Sequence, residues 1–443
     1  MKVTFIRPSI TGTRAFDAME PLVFAVLSAL TPERIDRELF DERVEPIPDD
    51  FETDLVALTV ETYTARRAYQ IAAGARARGI PVVMGGYHPS LALDEALRHA
   101  DAVVVGDAEG VWAEVLADAS QGALRRVYRQ SGYPSLETLR FDREIFRGKR
   151  YAGVAPVQFG RGCRFACDFC SIHAFYGSSV RARPAREVAA EVEALGRKTI
   201  LLVDDNLFVD LPRAEELFRE LAPLKVRWGC QVSIDVAWNT PLLDLMARSG
   251  CVGALVGFES LDDTNLVQMR KRWNLKGGPY AEAIRRFRER GIMIYGSFVF
   301  GYDNDATDVF DATADFALES KLFLVNFSAL TPTPGTRLID RLRDERRLLR
   351  DPWWLDPDYR YGEATFRPAR MSTDELTEGC LRARSRFYGY GSIARRALET
   401  RANCRGPLRL GIYLAANLLS RRELSRKLGQ PLGAHVPMEA AAP

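Results

Sequence analysis

Apolar residues recur along this chain in two rhythms, which divide it into two series of strand–helix units. The first series opens with the short apolar run Val3-Thr4-Phe5-Ile6, followed by an apolar helix predicted over 20–30. Leu55-Val56-Ala57-Leu58-Thr59-Val60 reads as a buried parallel strand, because an unbroken apolar run needs cover on both faces. Residues 65–78 place Ala68, Ile71, Ala72 and Ala75 at i, i+3, i+4 and i+7 and stop at Gly79, the pattern of an amphipathic helix. Residues 81–86 and 102–106 are two further strand signals that end in glycine. Units of this kind predict an α/β architecture with a doubly wound, Rossmann-like parallel sheet over 1–125. Ligands of such a sheet sit at the carboxyl ends of its strands. Those ends carry Thr59, Glu61, Thr62, Gly85, Gly86, His88, Gly106 and Glu109.

Residues 126–150 are more polar, show no period and read as a connector. A second series of alternations follows, with strands predicted at 157–160, 199–203, 227–234, 252–257, 293–300 and 323–328. Helices over 184–195, 240–250 and 280–290 lie between them, the first with Val188, Val192 and Leu195 on one face. Six units over 151–340 predict a (β/α)6 partial TIM barrel, whose function-bearing loops follow the carboxyl ends of the strands. Thr331-Pro332-Thr333-Pro334-Gly335 ends the alternation, and 341–443 reads as a mostly helical segment with a frayed tail after about Gly433.

Composition narrows the function classes. The chain has 443 residues, 47% hydrophobic and 27% charged, with a net charge of +2. That balance fits a globular protein of two or three domains and gives no basic field that would make nucleic acid an obligate partner. The opening residues lack a signal-peptide pattern, and no apolar run is long enough to span a bilayer, so the cytoplasm is the expected compartment. In that reducing setting, clustered cysteines point to metal or redox chemistry before disulfides.

Three of the seven cysteines form such a cluster, Gly160-Arg161-Gly162-Cys163-Arg164-Phe165-Ala166-Cys167-Asp168-Phe169-Cys170, on the loop after the first barrel strand. Cys163, Cys167 and Cys170 are spaced C-x3-C-x2-C with no fourth cysteine nearby, so a metal centre held there keeps one position open for chemistry. The alternative is a closed zinc knuckle completed by His173, in a non-catalytic metal-binding or redox-sensing module. Cys230, Cys251, Cys380 and Cys404 show no ligand spacing and read as small buried hydrophobes.

The cysteine spacing, with Phe169 just before the last thiol, resembles the signature of the radical S-adenosylmethionine superfamily. The resemblance implies a [4Fe–4S] cluster on the three cysteines, with its fourth iron chelating S-adenosylmethionine. It also implies contacts to that cofactor from Phe169, from Asp204 or Asp205 at the end of the second strand, and from Ser233 after the third. Many members carry Gly-Gly-Glu where this chain has Val203-Asp204-Asp205-Asn206. Gly253-x-Leu255-x-Gly257-x-Glu259 is similar to the glycine-rich strand that packs on adenine, with Glu259 placed for ribose hydroxyls.

The first segment resembles the cobalamin-binding domain of one large subclass. The matching residues are Met84-Gly85-Gly86-Tyr87-His88-Pro89, Thr59-Val60-Glu61-Thr62 and Val105-Gly106-Asp107-Ala108-Glu109-Gly110. The loop that supplies a lower axial histidine in cobalamin domains of the methionine synthase type is here Pro8-Ser9-Ile10-Thr11-Gly12-Thr13, without histidine. Cobalamin without an axial histidine from that loop is therefore expected, with His88 touching the nucleotide tail or capping a turn. The alternative is a sheet retained as scaffold with no corrin.

Taken together, the resemblance implies an enzyme that generates a 5′-deoxyadenosyl radical. With methylcobalamin, it would methylate an unactivated carbon of a small metabolite or lipid. Rearrangement or cyclisation without methyl transfer is the alternative reaction. A cluster of this kind implies an electron donor such as a flavodoxin or ferredoxin. Substrate choice is expected to lie in the C-terminal segment, where Trp353, Trp354, Tyr359 and Tyr361 are candidate cavity residues. There, too, an apolar helix over 411–419 with Arg421 and Arg422 at its end would pack on the barrel or touch a lipid.

Overall fold

The computed structural model describes residues 1–11, 15, 17–208 and 210–433, and within it each series forms one six-stranded parallel sheet. In the first sheet the strands are β1 (Lys2–Arg7), β2 (Asp36–Asp41), β3 (Leu55–Thr59), β4 (Val82–Gly85), β5 (Ala102–Val105) and β6 (Val127–Arg129). Their spatial order is β2-β1-β3-β4-β5-β6, so the winding direction reverses between β1 and β3. The two-residue strand period explains the two layers of core. Leu55 and Ala57 pack with Phe24 and Trp112 on one face, while Val56 and Leu58 pack with Ala68 and Ala72 on the other.

Two strands of this sheet depart from the sequence reading. β2 has the polar sequence Asp-Arg-Glu-Leu-Phe-Asp and, as an edge strand, buries Leu39 and Asp41 rather than a continuous apolar run. β6 falls inside the stretch expected as connector, which also buries Leu136, Leu139 and Phe146. The first layer thus continues past residue 125.

The second sheet contains β7 (Ala155–Val157), β10 (Thr199–Leu202), β11 (Arg227–Val232), β12 (Cys251–Glu259), β13 (Met293–Phe300) and β14 (Leu324–Ala329). They lie side by side in chain order, as a partial barrel requires, with β7 and β14 at the open edges. Between β7 and β10 a short antiparallel pair is inserted, β8 (Gly160–Arg161) and β9 (Arg181–Ala182). The first barrel strand therefore ends at Val157 instead of running to 160. The reason is chemical: the amides of Phe159 and Gly160 bond to the Asp204 carboxylate rather than to a sheet ladder.

The C-terminal segment is largely helical and straps across both layers. Helix Thr373–Phe387 opens with a capping box of Ser372 and Glu375 and packs on the barrel through Leu376, Ala383 and Phe387. Helices Tyr390–Ala397 and Pro407–Lys427 follow. Trp353 and Trp354 are core residues under the first sheet rather than cavity walls, with Trp353 Nε1 donating to the Pro332 carbonyl at 2.8 Å. The described chain ends at Gly433, whose amide bonds the Ile10 carbonyl at 3.0 Å. Gly12 and Thr13, and the tail expected to fray, lie outside the described residues. Among the described residues no helix is long and apolar enough to cross a membrane.

Candidate active site

The tripeptide after β10 shapes the cysteine loop. Asp204 Oδ1 accepts from the Phe159 amide at 3.0 Å and from the Gly160 amide, and Asp205 Oδ2 accepts from the Gly162 amide at 2.7 Å. Asn206 Nδ2 then approaches Cys163 Sγ at 3.9 Å. Three consecutive residues thus latch the backbone leading into the motif. The two aspartates were expected at a cofactor; their carboxylates meet the loop's own amides. Burial raises the Asp204 carboxyl to about 7 despite those amides, and its Oδ2 is buried without a partner.

Further contacts fix the rest of the loop. Phe165 stacks on Trp273 with centroids 3.8 Å apart, and Asp168 accepts from the Tyr302 hydroxyl at 2.6 Å. Phe169 lies edge-on to Tyr302 at 6.5 Å and packs against the barrel core. Cys163, Cys167 and Cys170 are half-buried free thiols, and burial pushes Cys167 up to about 12 and the other two upward as well. Bare thiolates are disfavoured in such a place unless a cationic centre accompanies them, which suits an iron–sulfur cluster. Among the described residues, no three His, Cys, Asp or Glu side chains converge as a single-ion site would need. A cluster instead spreads its thiolates over separate irons. His173, the candidate fourth zinc ligand, turns Nδ1 to the Gly177 carbonyl at 3.0 Å.

At the end of β12 lies an ion pair. Glu259 has a positive φ of 65° and accepts from Lys271 Nζ at 2.5 Å, with both side chains buried. A Cβ at Gly257 would meet Glu259 Oε1 and Lys271 Nζ, so a side chain there would have to push the ends of this pair aside. The field of Lys271 also reaches Cys167 and Cys170 and favours their ionised forms. Ser233 begins the short helix Ile234–Trp238, half-buried, and its hydroxyl makes no hydrogen bond among the described residues.

The carboxyl edge of the first sheet opens into a cavity of about 290 Å³. Thr59, Glu61, Gly85, Gly86, Gly106 and Glu109 line it, opposite apolar residues of helix Leu22–Leu30. Gly106 has a φ of +85°, and a Cβ there would meet nothing within 4 Å, so bare backbone faces the space. Glycine edges with an apolar wall fit the nucleotide tail of a corrin. Among the described residues, no histidine lines the cavity.

His88 and Thr62 are corrections to the sequence reading. His88 is fully buried, with Nε2 3.0 Å from Glu95 Oε1 and 3.2 Å from the Tyr69 hydroxyl, and Thr62 Oγ1 sits 3.4 Å from its Nδ1. The Trp354 indole completes this network on Glu95 at 3.0 Å. The physical reason is helical phase. Helix Tyr87–Leu91 begins immediately after β4, so Tyr87 faces the cavity and the next residue turns about 100° away.

The cavity is also walled from the barrel side by Gln158, Arg161, Phe175 and Tyr176, the last two on helix Ser171–Tyr176 directly after Cys170. Arg161 pairs with Glu109 at 2.5 Å and Asp107 at 3.2 Å. Asp107 also takes Arg181 at 2.8 Å and the Tyr176 hydroxyl at 3.0 Å. Sequence reasoning singled out neither Arg161 nor Lys271. Arg161 stands visibly between the motif's first glycines, whereas no periodic signal marks Lys271, twelve residues beyond its partner.

Comparison with known proteins agrees with this geometry. Residues 157–317 match the family model of the radical SAM superfamily. The chain is 32% identical over 389 residues to bacteriochlorophyllide d C-12(1)-methyltransferase of Chlorobaculum tepidum, covering 85% of this chain and 84% of that one. It is 28% identical over 351 residues to bacteriochlorophyllide d C-8(2)-methyltransferase of the same organism, covering 75% and 78%. Among solved structures, the radical S-adenosylmethionine methyltransferase TsrM of Kitasatospora setae, with cobalamin and a [4Fe–4S] cluster bound, shares the fold. Its TM-score is 0.61 at 19% identity, over 85% of this chain and 81% of that one. The chain belongs to the radical S-adenosylmethionine superfamily, among its methyltransferases, and shares the fold of a member solved with cobalamin and a [4Fe–4S] cluster bound.

Proposed function

We propose that this enzyme transfers a methyl group to a carbon of a large, rigid, apolar metabolite, of the tetrapyrrole kind named for its bacteriochlorophyllide relatives. The observation that carries the reading is the shared wall. Arg161, Phe175 and Tyr176 belong to the cysteine loop and the helix after it, yet they line the cavity at the edge of the first sheet. Two cofactor sites built on one wall can serve one substrate between them.

In this reading Cys163, Cys167 and Cys170 hold the cluster, while Phe169, Ser233, the Gly257 backbone and Glu259 face S-adenosylmethionine. Thr59, Glu61, Gly85, Gly86 and Gly106 cradle cobalamin, and Glu109 acts on it through Arg161. When bound, the cluster and S-adenosylmethionine supply radical chemistry and cobalamin carries the methyl group. The chain's own part is placement. Asp204 and Asp205 hold the loop by its amides, Lys271 pairs with Glu259 and orients it, and the apolar wall excludes water from the reacting space. An electron donor of flavodoxin or ferredoxin type would reduce the cluster, in the cytoplasm where such a centre persists.

The test is an anaerobic reaction with methyl-labelled S-adenosylmethionine and a chlorophyllide-type acceptor. Label recovered on a ring-substituent carbon supports the reading. A cyclised or rearranged product without label would replace it with the radical reaction that needs no methyl transfer.

A further inference from the structure

The long C-terminal helix Pro407–Lys427 has two unlike faces. Tyr413 and Asn417 are buried against the preceding helix: the Tyr413 hydroxyl donates to the Ile393 carbonyl at 2.7 Å and Asn417 accepts from Arg396 at 3.0 Å. On the opposite side, at spacings of three and four residues, Leu408, Gly411, Leu414, Ala415 and Leu418 face outward. Leu408 is 59% exposed and Leu418 46%, a continuous apolar stripe with no cover among the described residues.

The charge of this region is one-sided. From residue 384 to 430 the acidic residues are Glu399 and Glu423, and both are buried. Glu399 accepts from the amides of Arg401, Ala402 and Asn403, so its charge is spent internally. Arg395, Arg401, Arg405 and Arg421 are exposed in the same stretch. Arg421 lies over the ring of the highly exposed Tyr390 at 4.6 Å. An apolar stripe on a segment whose exposed charges are basic complements a surface that is apolar inside and anionic at its rim.

We propose that this face docks the enzyme on the surface of an anionic lipid bilayer, with the helix lying in the interface plane. The helix cannot span a membrane, and its leucine stripe with basic surroundings is the composition of an interfacial anchor. A second copy of the chain is the poorer occupant, because pairing this face with itself would bring two basic segments together. The described chain leaves the helix for the first sheet, where Gly433 bonds Ile10. The inference does not depend on the reaction catalysed.

Co-sedimentation of the anaerobically purified holoenzyme with lipid vesicles tests it. The enzyme is expected to pellet with vesicles containing phosphatidylglycerol, to stay in solution with pure phosphatidylcholine, and to be released by high salt. Leu408→Ser/Leu414→Ser/Leu418→Ser should abolish pelleting, and Arg395→Gln/Arg405→Gln should weaken it about fivefold per arginine. Should the triple variant fold poorly, the arginine variant carries the test alone, since both of its positions are exposed. The proposal is overturned by absent binding to anionic vesicles, by equal binding to neutral ones, or by arginine variants that bind as wild type. A concentration-dependent dimer that disappears in the leucine variant would also overturn it, and would assign the face to a second copy.

Discussion

Lys271 Nζ lies 2.5 Å from Glu259 Oε1 at the end of β12, with the two side chains buried over the Gly257 backbone. Removing one partner leaves a lone buried charge, which typically costs about 3–5 kcal/mol. Lys271→Met should therefore lower the denaturant midpoint of unfolding and weaken S-adenosylmethionine binding by more than tenfold. The double variant Lys271→Met/Glu259→Gln should recover most of the stability but not the binding. Unchanged cofactor affinity in either variant would remove the pair from the site.

Cys163→Ser, Cys167→Ser and Cys170→Ser should each lose iron and acid-labile sulfide, because three thiolates are all the cysteine ligands this loop offers. The loop itself should keep its shape, held by Asp204 and Asp205 through backbone amides. Cys404→Ser is the control and should keep its iron. Full iron in any of the three loop variants would point to a different ligand set.

Asp204 gives a pH test. Its folded pKa is raised to about 7, above its unfolded value, so the folded state binds the extra proton between the two. Ionising it as pH rises through about 7 costs stability, and that cost is absent once pH falls below the unfolded value. Asn mimics the protonated form. The Tm of Asp204→Asn relative to wild type should climb from about pH 4 to about pH 7 and level off above it; a gap that stays flat across that range would mean that Asp204 is not buried.

The cavity and the His88 network should separate by mutation. Gly106→Val places a side chain into the open space and should abolish corrin retention; at a φ of +85° it also strains the backbone, so the unfolding midpoint should fall with it. His88→Phe should keep the corrin while costing about 1–3 kcal/mol of stability through the lost hydrogen bond to Glu95. Its retained corrin should keep the wild-type absorption and electron paramagnetic spectra. Although burial opposes it, hydrogen bonds from His88, Trp354 and Tyr69 hold the Glu95 carboxyl below its ordinary value. The stabilisation from this network is thus present above the unfolded carboxyl pKa and is lost as pH falls through the lower, folded one.

What could be read from the sequence followed from period and from local spacing. Leu55 to Val60 announced a buried strand, and its end placed Thr59 and Glu61 at the cavity edge. The three cysteines needed no tertiary information at all. β2 escaped because an edge strand can be polar on most of its length, and β6 because three residues are too short to show a period. His88 was misplaced by a matter of phase: the sequence locates the end of β4 but not the rotation of the helix that begins there. Lys271 meets Glu259 only because the chain turns through helix Asp263–Gln268, so nothing local in either residue signals the other.

The carboxylates of Asp107 and Glu109, on the first sheet, hold Arg161, two residues before Cys163. Whatever orders that arginine from one side is felt on the other. In the proposed arrangement, thermodynamic linkage makes the two cofactors reciprocal. The factor by which occupancy of the first-sheet cavity tightens S-adenosylmethionine must equal the factor by which S-adenosylmethionine tightens the corrin. A barrel severed from its sheet would lose that factor along with the corrin, and its cysteine loop would lack the anchor that sets where the motif begins.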